Sequence, residues 1–328
     1  MKHFLRAVSV LVALCAAHTA SAACTTLFGA VPYVISAPGE YCLFRSVRMT
    51  AAGNAITINS SNVTVNLQGY SIFTAASENG QYSVGIYSMG RNNITLRNGR
   101  LRGFTKAVEM QSDLLAGANY LVEGLIVRSS GQMGLDIRGG NSTIQDNVVS
   151  DTAARFAPSQ FAIAIGNSAF GGTATIRNNR VDNTSGSGLV PPDFDGNPAI
   201  GAEGIVVDGA PSATIENNTI TDTTAGKDRA LGLVYSCFPN AGIVCTTATA
   251  WSNEILNSAS ARGTVGLTIV GSPGGGGASL NSISSDVENF AEGIKYIFAT
   301  GIYRYSVVAG AVTPYTGGRQ FGVNDIEP

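Results

Sequence analysis

A short element that recurs nine times constrains the fold of this chain more than any other feature. Each copy is a small residue followed by an apolar, a variable and a second apolar residue, as in Gly-Leu-Asp-Ile at residues 134–137. The copies start at Ala55, Gly85, Ala107, Gly134, Ala162, Gly204, Gly232, Gly266 and Gly293. Apolar residues two positions apart are typical of a short β-strand with one buried face. Self-similarity along the whole chain indicates a stack of repeating units.

A second element lies between these copies and places an Asn at the same point of a predicted turn. It is clearest at residues 174–181, which read Ala-Thr-Ile-Arg-Asn-Asn-Arg-Val. The asparagines at this point are Asn147, Asn179, Asn218, Asn253 and Asn281. Asn tolerates the left-handed backbone of such a turn, and stacked amides can hydrogen-bond from one repeat to the next. These asparagines are therefore interpreted as structural.

Together the two elements predict an all-β solenoid. The spacing of the copies varies more than in a propeller or a leucine-rich array, which favours a solenoid with loops that grow outward at particular corners. Only 13 % of the residues are charged, and no amphipathic helical pattern follows the N-terminal segment. We expect a single-stranded right-handed parallel β-helix of about nine coils at residues 53–300. An N-terminal cap is expected at 23–52 and a C-terminal cap at 301–328.

The first 22 residues have the three regions of a secretory signal peptide. Lys2 and Arg6 give a basic start, an apolar run follows, and small residues precede the predicted cleavage point after Ala22. The apolar run is too short to span a bilayer, and no later stretch approaches the required length. We therefore expect a secreted or periplasmic protein without a membrane span.

Cleavage would leave a mildly acidic chain without histidine. Of the 20 Lys and Arg residues, Lys2 and Arg6 are removed, so 18 remain against 22 Asp and Glu, a net charge of −4. Both histidines, His3 and His18, lie in the removed segment. This composition excludes a Ser-His-Asp or Cys-His centre and a His-ligated metal. The acidity, without a basic cluster in the sequence, argues against nucleic acid as a partner.

Four cysteines remain in the mature chain, and their even number in an exported protein suggests two disulfides. Three connectivities are open. The local pairs Cys24–Cys42 and Cys237–Cys245 close short loops and are the natural choice. A metal site is the alternative, but no CxxC spacing supports it.

Residues 39–43, 55–58 and 62–72 are similar to the start of many exported right-handed β-helix repeat proteins. With the Asn turn, three short strands per coil and a long third corner, the chain resembles the pectin-lyase-like right-handed parallel β-helices over residues 50–300. That superfamily includes pectate lyases, polygalacturonases, alginate lyases and epimerases, and phage tailspikes. The resemblance implies the β-helix fold and a substrate groove along the first sheet.

The catalytic motifs of those enzymes are absent from the sequence. It lacks the Asn-Thr-Asp, Asp-Asp and Gly-His-Gly set of the polygalacturonases and the Asp-Pro-His-Asp run of the alginate epimerases. The Trp-Ile-Asp-His and Arg-x-Pro-x-x-Arg segments of the main pectate lyase family are missing too. Asn66 and Tyr70 also stand where similar exported proteins often have Asp and His. The resemblance therefore carries the fold and not a named activity.

The expected site lies on the outer face of the sheet that the nine-copy element forms. Its outward residues, at the middle of each triplet, are Thr57, Tyr87, Glu109, Asp136, Ala164, Val206, Val234, Thr268 and Lys295. Glu109 and Asp136 are expected as neighbours about 5 Å apart, with Tyr87 one coil earlier. The pair could act in acid–base catalysis or hold Ca²⁺, assisted by Arg138 or Tyr87. The alternative is a solvated face whose charges are coupled to Arg138.

Other groups are expected beside this face. Candidates for substrate binding are Gln111, Asp208, Lys227 and Arg229. Asp193 and Asp195 alternate before a glycine, as at the start of a calcium loop. No Glu closes that loop at the expected spacing, so a polar turn is the alternative.

The function predicted from these observations is binding or cleavage of a polysaccharide, with an acidic uronate polymer as one candidate, along the first sheet. The alternative is a non-catalytic structural, adhesive or cell-envelope scaffold. The sequence leaves catalysis open. An enzyme of this kind would be a polysaccharide lyase or glycoside hydrolase without a catalytic histidine. No cofactor is required, calcium is the one candidate, and the oligomeric state is undetermined.

Overall fold

The computed structural model describes residues 24, 26–76, 79–112, 118–155, 161–169, 171–187, 200–225, 229–237, 247–257, 264–270, 279–288, 292–297, 300–303, 307–309, 311, 313–317, 319–320 and 325–327. The predicted signal peptide therefore lies outside the described residues. The described chain is all-β and has no α-helix. Accordingly, no helix in this part of the chain is long and apolar enough to cross a membrane.

Thirty strands are assigned in the described residues. They are β1 (Thr26–Phe28), β2 (Tyr33–Ile35), β3 (Gly39–Leu43), β4 (Val47–Arg48), β5 (Gly53–Ile58), β6 (Val63–Asn66), β7 (Ser71–Phe73), β8 (Ser83–Met89), β9 (Ile94–Arg102), β10 (Lys106–Gln111), β11 (Asn119–Arg128), β12 (Met133–Arg138), β13 (Asn141–Gln145), β14 (Val148–Ala153) and β15 (Ala162–Ser168). They continue as β16 (Thr173–Arg177), β17 (Arg180–Ser185), β18 (Ile200–Asp208), β19 (Ser212–Glu216), β20 (Thr219–Thr224), β21 (Arg229–Ser236), β22 (Thr247–Leu256), β23 (Thr264–Val270), β24 (Ser279–Glu288), β25 (Glu292–Ile297), β26 (Thr300–Tyr303), β27 (Val307–Ala309), β28 (Thr313–Thr316), β29 (Arg319–Gln320) and β30 (Asp325–Glu327).

These strands form two long sheets, and every strand pairing in the described residues is parallel. The front sheet has 11 strands: β2, β5, β8, β10, β12, β15, β18, β21, β23, β25 and β28. The other 19 form the back sheet. Consecutive front strands pair with each other although one or two back strands lie between them in sequence. All nine copies of the short element lie in front strands, as predicted.

One apolar core contains residues from both sheets. Val108, Leu135 and Ile165 occupy the same position on consecutive front strands and are fully buried. Ile144 and Ile176 stack in the same way on the back sheet. Each such side chain contributes about 1.5–3 kcal/mol when it leaves water, which is why alternate residues of each short strand are apolar.

The small residue of the element is required by close packing between neighbouring strands. A Cβ at Gly134 would lie 2.4 Å from the Ala164 carbonyl oxygen and 2.6 Å from Val149 Cγ1. The same column continues with Gly204, where a Cβ would lie 2.5 Å from the Gly232 carbonyl oxygen. Every described copy has glycine or alanine at this position.

The expectation for the fifth copy is wrong by two residues. Leu135 pairs with Ile165, and Asp136 pairs with Gly166, so the copy reads Ala-Ile-Gly-Asn at residues 164–167. Ala164 is buried in the core, and Gly166 takes the outward position expected for Ala164. The run of alternating Ala and Ile at residues 162–165 fits the pattern in either register, and stacking on β12 decides between them.

A buried amide ladder joins the back strands, as the sequence predicted. Asn147 Nδ2 donates to Asn179 Oδ1 at 3.0 Å, and Asn179 Nδ2 donates to Asn218 Oδ1 at 3.0 Å. Asn218 Nδ2 donates to Asn253 Oδ1 at 2.9 Å. Each accepting oxygen also receives the backbone N–H of the preceding Asn, as at 3.1 Å from Asn147 N to Asn179 Oδ1. The ladder thus satisfies polar groups that turns leave inside the fold.

Two details of the predicted ladder are wrong. The left-handed residue of each turn is the one before the ladder Asn, with φ of 58° at Asp146 and 54° at Asn217. The ladder Asn is selected by its hydrogen bonds and not by its backbone. Asn281 is out of register with the ladder, because the backbone of Asn253 pairs with Ser285 and the register shifts across this strand pair.

The back sheet carries a second amide ladder that the sequence analysis missed. It is exposed and runs through Asn62, Asn93, Asn119 and Asn141, with Nδ2-to-Oδ1 distances of 2.8, 2.9 and 3.2 Å. Its signal in the sequence is an Asn just before an apolar–polar–apolar triplet, at Asn62 and Asn93. Both residues have a left-handed backbone, with φ of 59° and 55°.

The N-terminal strands are joined to the sheets and cross-linked. The predicted disulfide Cys24–Cys42 is present, with its Cα atoms 5.8 Å apart. A carboxylate oxygen of Glu40 lies within 4.8 Å of both sulfurs, but a disulfide leaves no thiolate for a metal. Cys237 is also disulfide-bonded, while its expected partner Cys245 lies outside the described residues. Both sheets include strands from the segments predicted as caps, since β2 and β28 pair within the front sheet and β3 pairs with β6 in the back sheet.

Candidate functional site

The outward side chains of the front sheet, both polar and apolar, form rows across neighbouring strands. The middle row contains Tyr87, Glu109, Asp136, Gly166, Val206, Val234, Thr268 and Lys295. A second row, just before the small residues, contains Val84, Lys106, Met133, Ile163, Glu203, Leu231, Val265 and Glu292. Glu109 and Asp136 are direct neighbours, as predicted, and Tyr87 precedes Glu109.

Lys106 lies between the two predicted carboxylates. Its Nζ is 2.6 Å from Glu109 Oε1 and 2.8 Å from Asp136 Oδ2. Arg138 clamps the same aspartate, with Nε 2.7 Å from Oδ1 and Nη2 2.9 Å from Oδ2. Asp136 is only 2 % exposed, so two cationic partners offset the cost of burying its charge. Tyr82, Lys106, Glu109, Asp136 and Arg138 are called the bridged cluster below.

Tyr82 completes the bridged cluster from the segment before β8. Its hydroxyl donates to Glu109 Oε2 at 3.0 Å. Burial and the Glu109 carboxylate raise the pKa of Tyr82, so the phenol stays protonated as a donor. The pKa of Arg138 is also raised, because its guanidinium donates to Asp136. Tyr87, expected to assist proton transfer, instead has its hydroxyl 3.6 Å from Met89 Sδ.

The bridged cluster limits what Glu109 and Asp136 can do. Both oxygens of each carboxylate already accept a hydrogen bond from a described neighbour. The cation between them is the Lys106 ammonium, so a Ca²⁺ ion would have to displace it. Gln111, beside Arg138 at the strand ends, is half-buried and lies at the edge of the cluster.

A second group of charges was only partly predicted. Glu203 lies in the same row as Lys106, three strands further on, and is half-buried. Burial raises the pKa of Glu203 to about 7; the Asp208 carboxylate adds to the rise and the Arg229 guanidinium opposes it. Asp208 also accepts a hydrogen bond from the Ser236 hydroxyl. Glu203, Asp208 and Arg229 are called the Glu203 cluster.

The two clusters are separated by a strand with small outward residues. Gly166 lies between Asp136 and Val206, and Ser168 lies between Arg138 and Asp208. Because strands are about 4.8 Å apart, the backbones of Arg138 and Asp208 are about 10 Å apart. Gly166 has no side chain, and a Cβ there would lie 3.0 Å from Met133 Cε and 3.5 Å from Ile163 Cγ2, so two neighbouring apolar side chains approach this position.

Sequence reasoning identified Asp208 and Arg229 but missed Lys106, Tyr82 and Glu203. The signal for two of them was present, since Lys106 and Glu203 each stand directly before the small residue of a copy. The sequence pattern predicts outward positions at the middle of each triplet and two residues later, but the position directly before the small residue is outward too. Lys227 and the aspartates Asp193 and Asp195 lie outside the described residues, so the predicted calcium loop stays a prediction.

Beyond the Glu203 cluster the outer face becomes apolar. Leu231, Val234 and Val265 form a separate buried cluster with 2, 6 and 1 % exposure, and Val206 packs against it. These residues belong to the same outward rows as the charged groups. Among the described residues, these apolar side chains separate the two charged clusters from the partly exposed pair Glu292 and Lys295 on β25.

Comparison with protein-family models, with curated proteins and with solved structures finds no match to this chain. Membership of the pectin-lyase-like superfamily therefore stays a prediction from the residues. The parallel sheets are compatible with it.

Proposed function

We propose that the two sheets belong to a single right-handed parallel β-helix of about nine coils, of the pectin-lyase-like type, in an exported protein. The alternation of front and back strands, the shared core and the buried amide ladder support this architecture. Parallel crossover connections are right-handed in nearly all proteins, which supports the handedness. A crystal structure with left-handed connections, or with two separate domains, would contradict it.

We propose that the protein binds or cleaves a polysaccharide along the outer face of the front sheet. The observation that carries this proposal is the presence of two charged clusters on one face, with Arg138 on one side of strand β15 and Glu203 and Asp208 on the other. A polymer lying across the strands would meet both charged clusters.

Glu203 is the residue best suited to proton transfer at this site. A carboxyl group with a pKa of about 7 is partly protonated near neutral pH and can donate or accept a proton. Asp208 supplies the second carboxyl group that glycoside hydrolysis uses. Arg138 and Arg229 could hold the carboxylate of a uronate unit through paired hydrogen bonds. No histidine is needed for these roles.

A polymer panel with matched variants tests this proposal. Pectin, alginate and neutral glucans are incubated with the mature protein, and reducing ends and unsaturated-uronate absorbance are followed. Glu203→Gln is expected to lower any turnover about 100-fold or more, because it removes the proton donor. Glu292→Gln is the control, since Glu292 lies in the same row but beside Lys295. Equal activity in both variants would contradict a role for Glu203.

The second candidate is a non-catalytic scaffold, and the bridged cluster favours it. Lys106 and Arg138 neutralise Asp136 as a structural ion network does, and two amide ladders stabilise the stack of strands. For a scaffold, we expect no polymer turnover, whether or not the protein binds glycans. Turnover that depends on Glu203 would exclude this candidate.

A further inference from the structure

Four arginines from three separated segments meet on the outer face of the back sheet. Arg102 pairs with Phe73 on one side and with Arg128 on the other, and Phe73 pairs in turn with Arg48. Arg100 lies two residues before Arg102 and therefore on the same face. All four arginines are exposed. The sequence contains no run of basic residues, but arginines distant in sequence form a basic cluster on this face.

Three of these arginines, Arg100, Arg102 and Arg128, line a groove. Its volume is about 700 Å³, and its walls include Phe73, Arg100, Arg102, Arg128 and Asp151. Phe73 is 37 % exposed, a large exposed fraction for an aromatic ring in a sheet. This surface is called the arginine groove.

The positive charge of the arginine groove is not neutralised by the described residues. In the part of the chain that the structure describes, no ion pair involves Arg48, Arg100, Arg102 or Arg128. Arg100 donates a hydrogen bond to the Gly69 carbonyl oxygen. The Asp151 carboxylate accepts a hydrogen bond from Asn183, with 2.9 Å between Asn183 Nδ2 and Asp151 Oδ1. Like charges directly opposite each other destabilise a sheet, so the pairing of Arg102 with Arg128 has a cost that an anion would relieve.

We infer that the arginine groove binds a uronate-containing polysaccharide. Arg102 and Arg128, on neighbouring strands, hold carboxylates of the polymer through their planar guanidinium groups, with Arg100 beside Arg102 on the same strand. Phe73 packs against the face of a sugar ring. This site lies on the back sheet, whereas the two charged clusters lie on the front sheet. It is therefore independent of the function proposed for the front sheet.

The chemistry of the groove favours a uronate chain over nucleic acid. Arg102 and Arg128 lie on neighbouring strands about 4.8 Å apart, and Phe73 lies on the strand on the other side of Arg102. Guanidinium groups beside one exposed aromatic ring suit a polymer in which carboxylates alternate with sugar faces. Duplex DNA carries one charge about every 1.7 Å along its axis and requires a broader basic surface than this groove supplies.

The test compares two double variants with the same net charge. Arg102→Gln/Arg128→Gln removes the centre of the groove, whereas Arg155→Gln/Arg177→Gln removes two exposed arginines that do not line it. Binding to polygalacturonate is measured by isothermal titration at low and high salt. The first variant is expected to bind at least about tenfold more weakly, because two charge-assisted contacts are lost. The control is expected to stay within about twofold, and wild-type binding is expected to weaken with salt.

One further variant and two further ligands identify the class of ligand that the groove binds. Phe73→Leu keeps the apolar bulk and is expected to weaken binding about fivefold through loss of ring stacking. Neutral dextran and single-stranded DNA are expected to bind much more weakly than polygalacturonate. Unchanged binding in Arg102→Gln/Arg128→Gln, an equal loss in the control, or equally tight binding of DNA would overturn the inference. The front-sheet function is read by turnover, which Arg102→Gln/Arg128→Gln should leave unchanged, so failure at one sheet is distinguishable from failure at the other.

Discussion

Lys106 balances the negative charge of two carboxylates on the polar face of the front sheet. It is 8 % exposed, yet its ammonium reaches carboxylates on its own strand and on the next. Without it, Glu109 and Asp136 would face each other across one strand spacing with only Arg138 to balance them. A buried ion pair contributes little net stability when intact, but removing one partner leaves an uncompensated charge.

Replacing Lys106 with Met should therefore destabilise the fold strongly. We expect Lys106→Met to lower the free energy of unfolding by about 3 kcal/mol, measured by urea denaturation. Lys295→Met is the control, because the Lys295–Glu292 pair has the same spacing but is more exposed, and should cost less than about 1 kcal/mol. Adding Asp136→Asn to Lys106→Met should restore part of the loss. Similar losses for the two lysine variants would contradict this account.

Glu203 should make stability depend on pH in a defined window. Its pKa is about 7 in the folded chain and 4.5 for an ordinary Glu, so between these pH values the folded state keeps a proton that the unfolded state loses. The free energy of unfolding must then fall as pH rises from about 4.5 to 7, by on the order of 2 kcal/mol. Glu203→Gln should remove this decline, whereas Glu292→Gln should retain it. Urea denaturation at pH 5 and 8 measures the difference, and an unchanged slope in Glu203→Gln would refute it.

At the scale of elements, the two amide ladders differ in burial and should differ in energetic importance. Asn179 is 1 % exposed and its side chain bonds two other asparagines and the Ile144 carbonyl oxygen. Asn119 forms similar amide contacts on the exposed ladder, where water can replace them. A buried polar group that loses its partner costs about 1–3 kcal/mol, but an exposed group does not.

Truncating the buried ladder should therefore cost much more than truncating the exposed one. We expect Asn179→Ala to lower the free energy of unfolding by about 3 kcal/mol, since several buried groups lose partners at once. Asn119→Ala should cost less than about 1 kcal/mol. Both values come from urea denaturation at neutral pH. Comparable costs would show that water reaches the buried ladder.

At the scale of the whole molecule, each strand contacts mainly the strands of the neighbouring repeats. Stability in such arrays is approximately a sum of repeat and neighbour terms, so a local change stays local. The Cys24–Cys42 disulfide closes a segment of 18 residues at one end of the stack. Such a cross-link contributes about 3 kcal/mol by restricting the unfolded chain.

Removing that disulfide should loosen one end of the protein only. In Cys24→Ser/Cys42→Ser we expect faster amide hydrogen exchange in strands β1 to β4. Exchange in the central strands β13 to β20 should stay within about twofold of the wild type. Hydrogen-exchange mass spectrometry resolves the two regions. Uniformly faster exchange along the chain would indicate that the sheets unfold as one cooperative unit.

The sequence alone determined the repeating β-strands, the set of nine front strands, the buried amide ladder and the pairing of Glu109 with Asp136. These follow from periodicity, because a period of two and a recurring small residue specify which residues stack. The tertiary structure decided the register of the fifth copy, because the alternating Ala and Ile at residues 162–165 fit two alignments. It also placed Lys106 between two carboxylates and brought three arginines, Arg100, Arg102 and Arg128, to one groove. Contacts such as Lys106–Asp136 and Arg102–Arg128 join residues on neighbouring strands that are distant in sequence, and loops of variable length hide that distance from any local pattern.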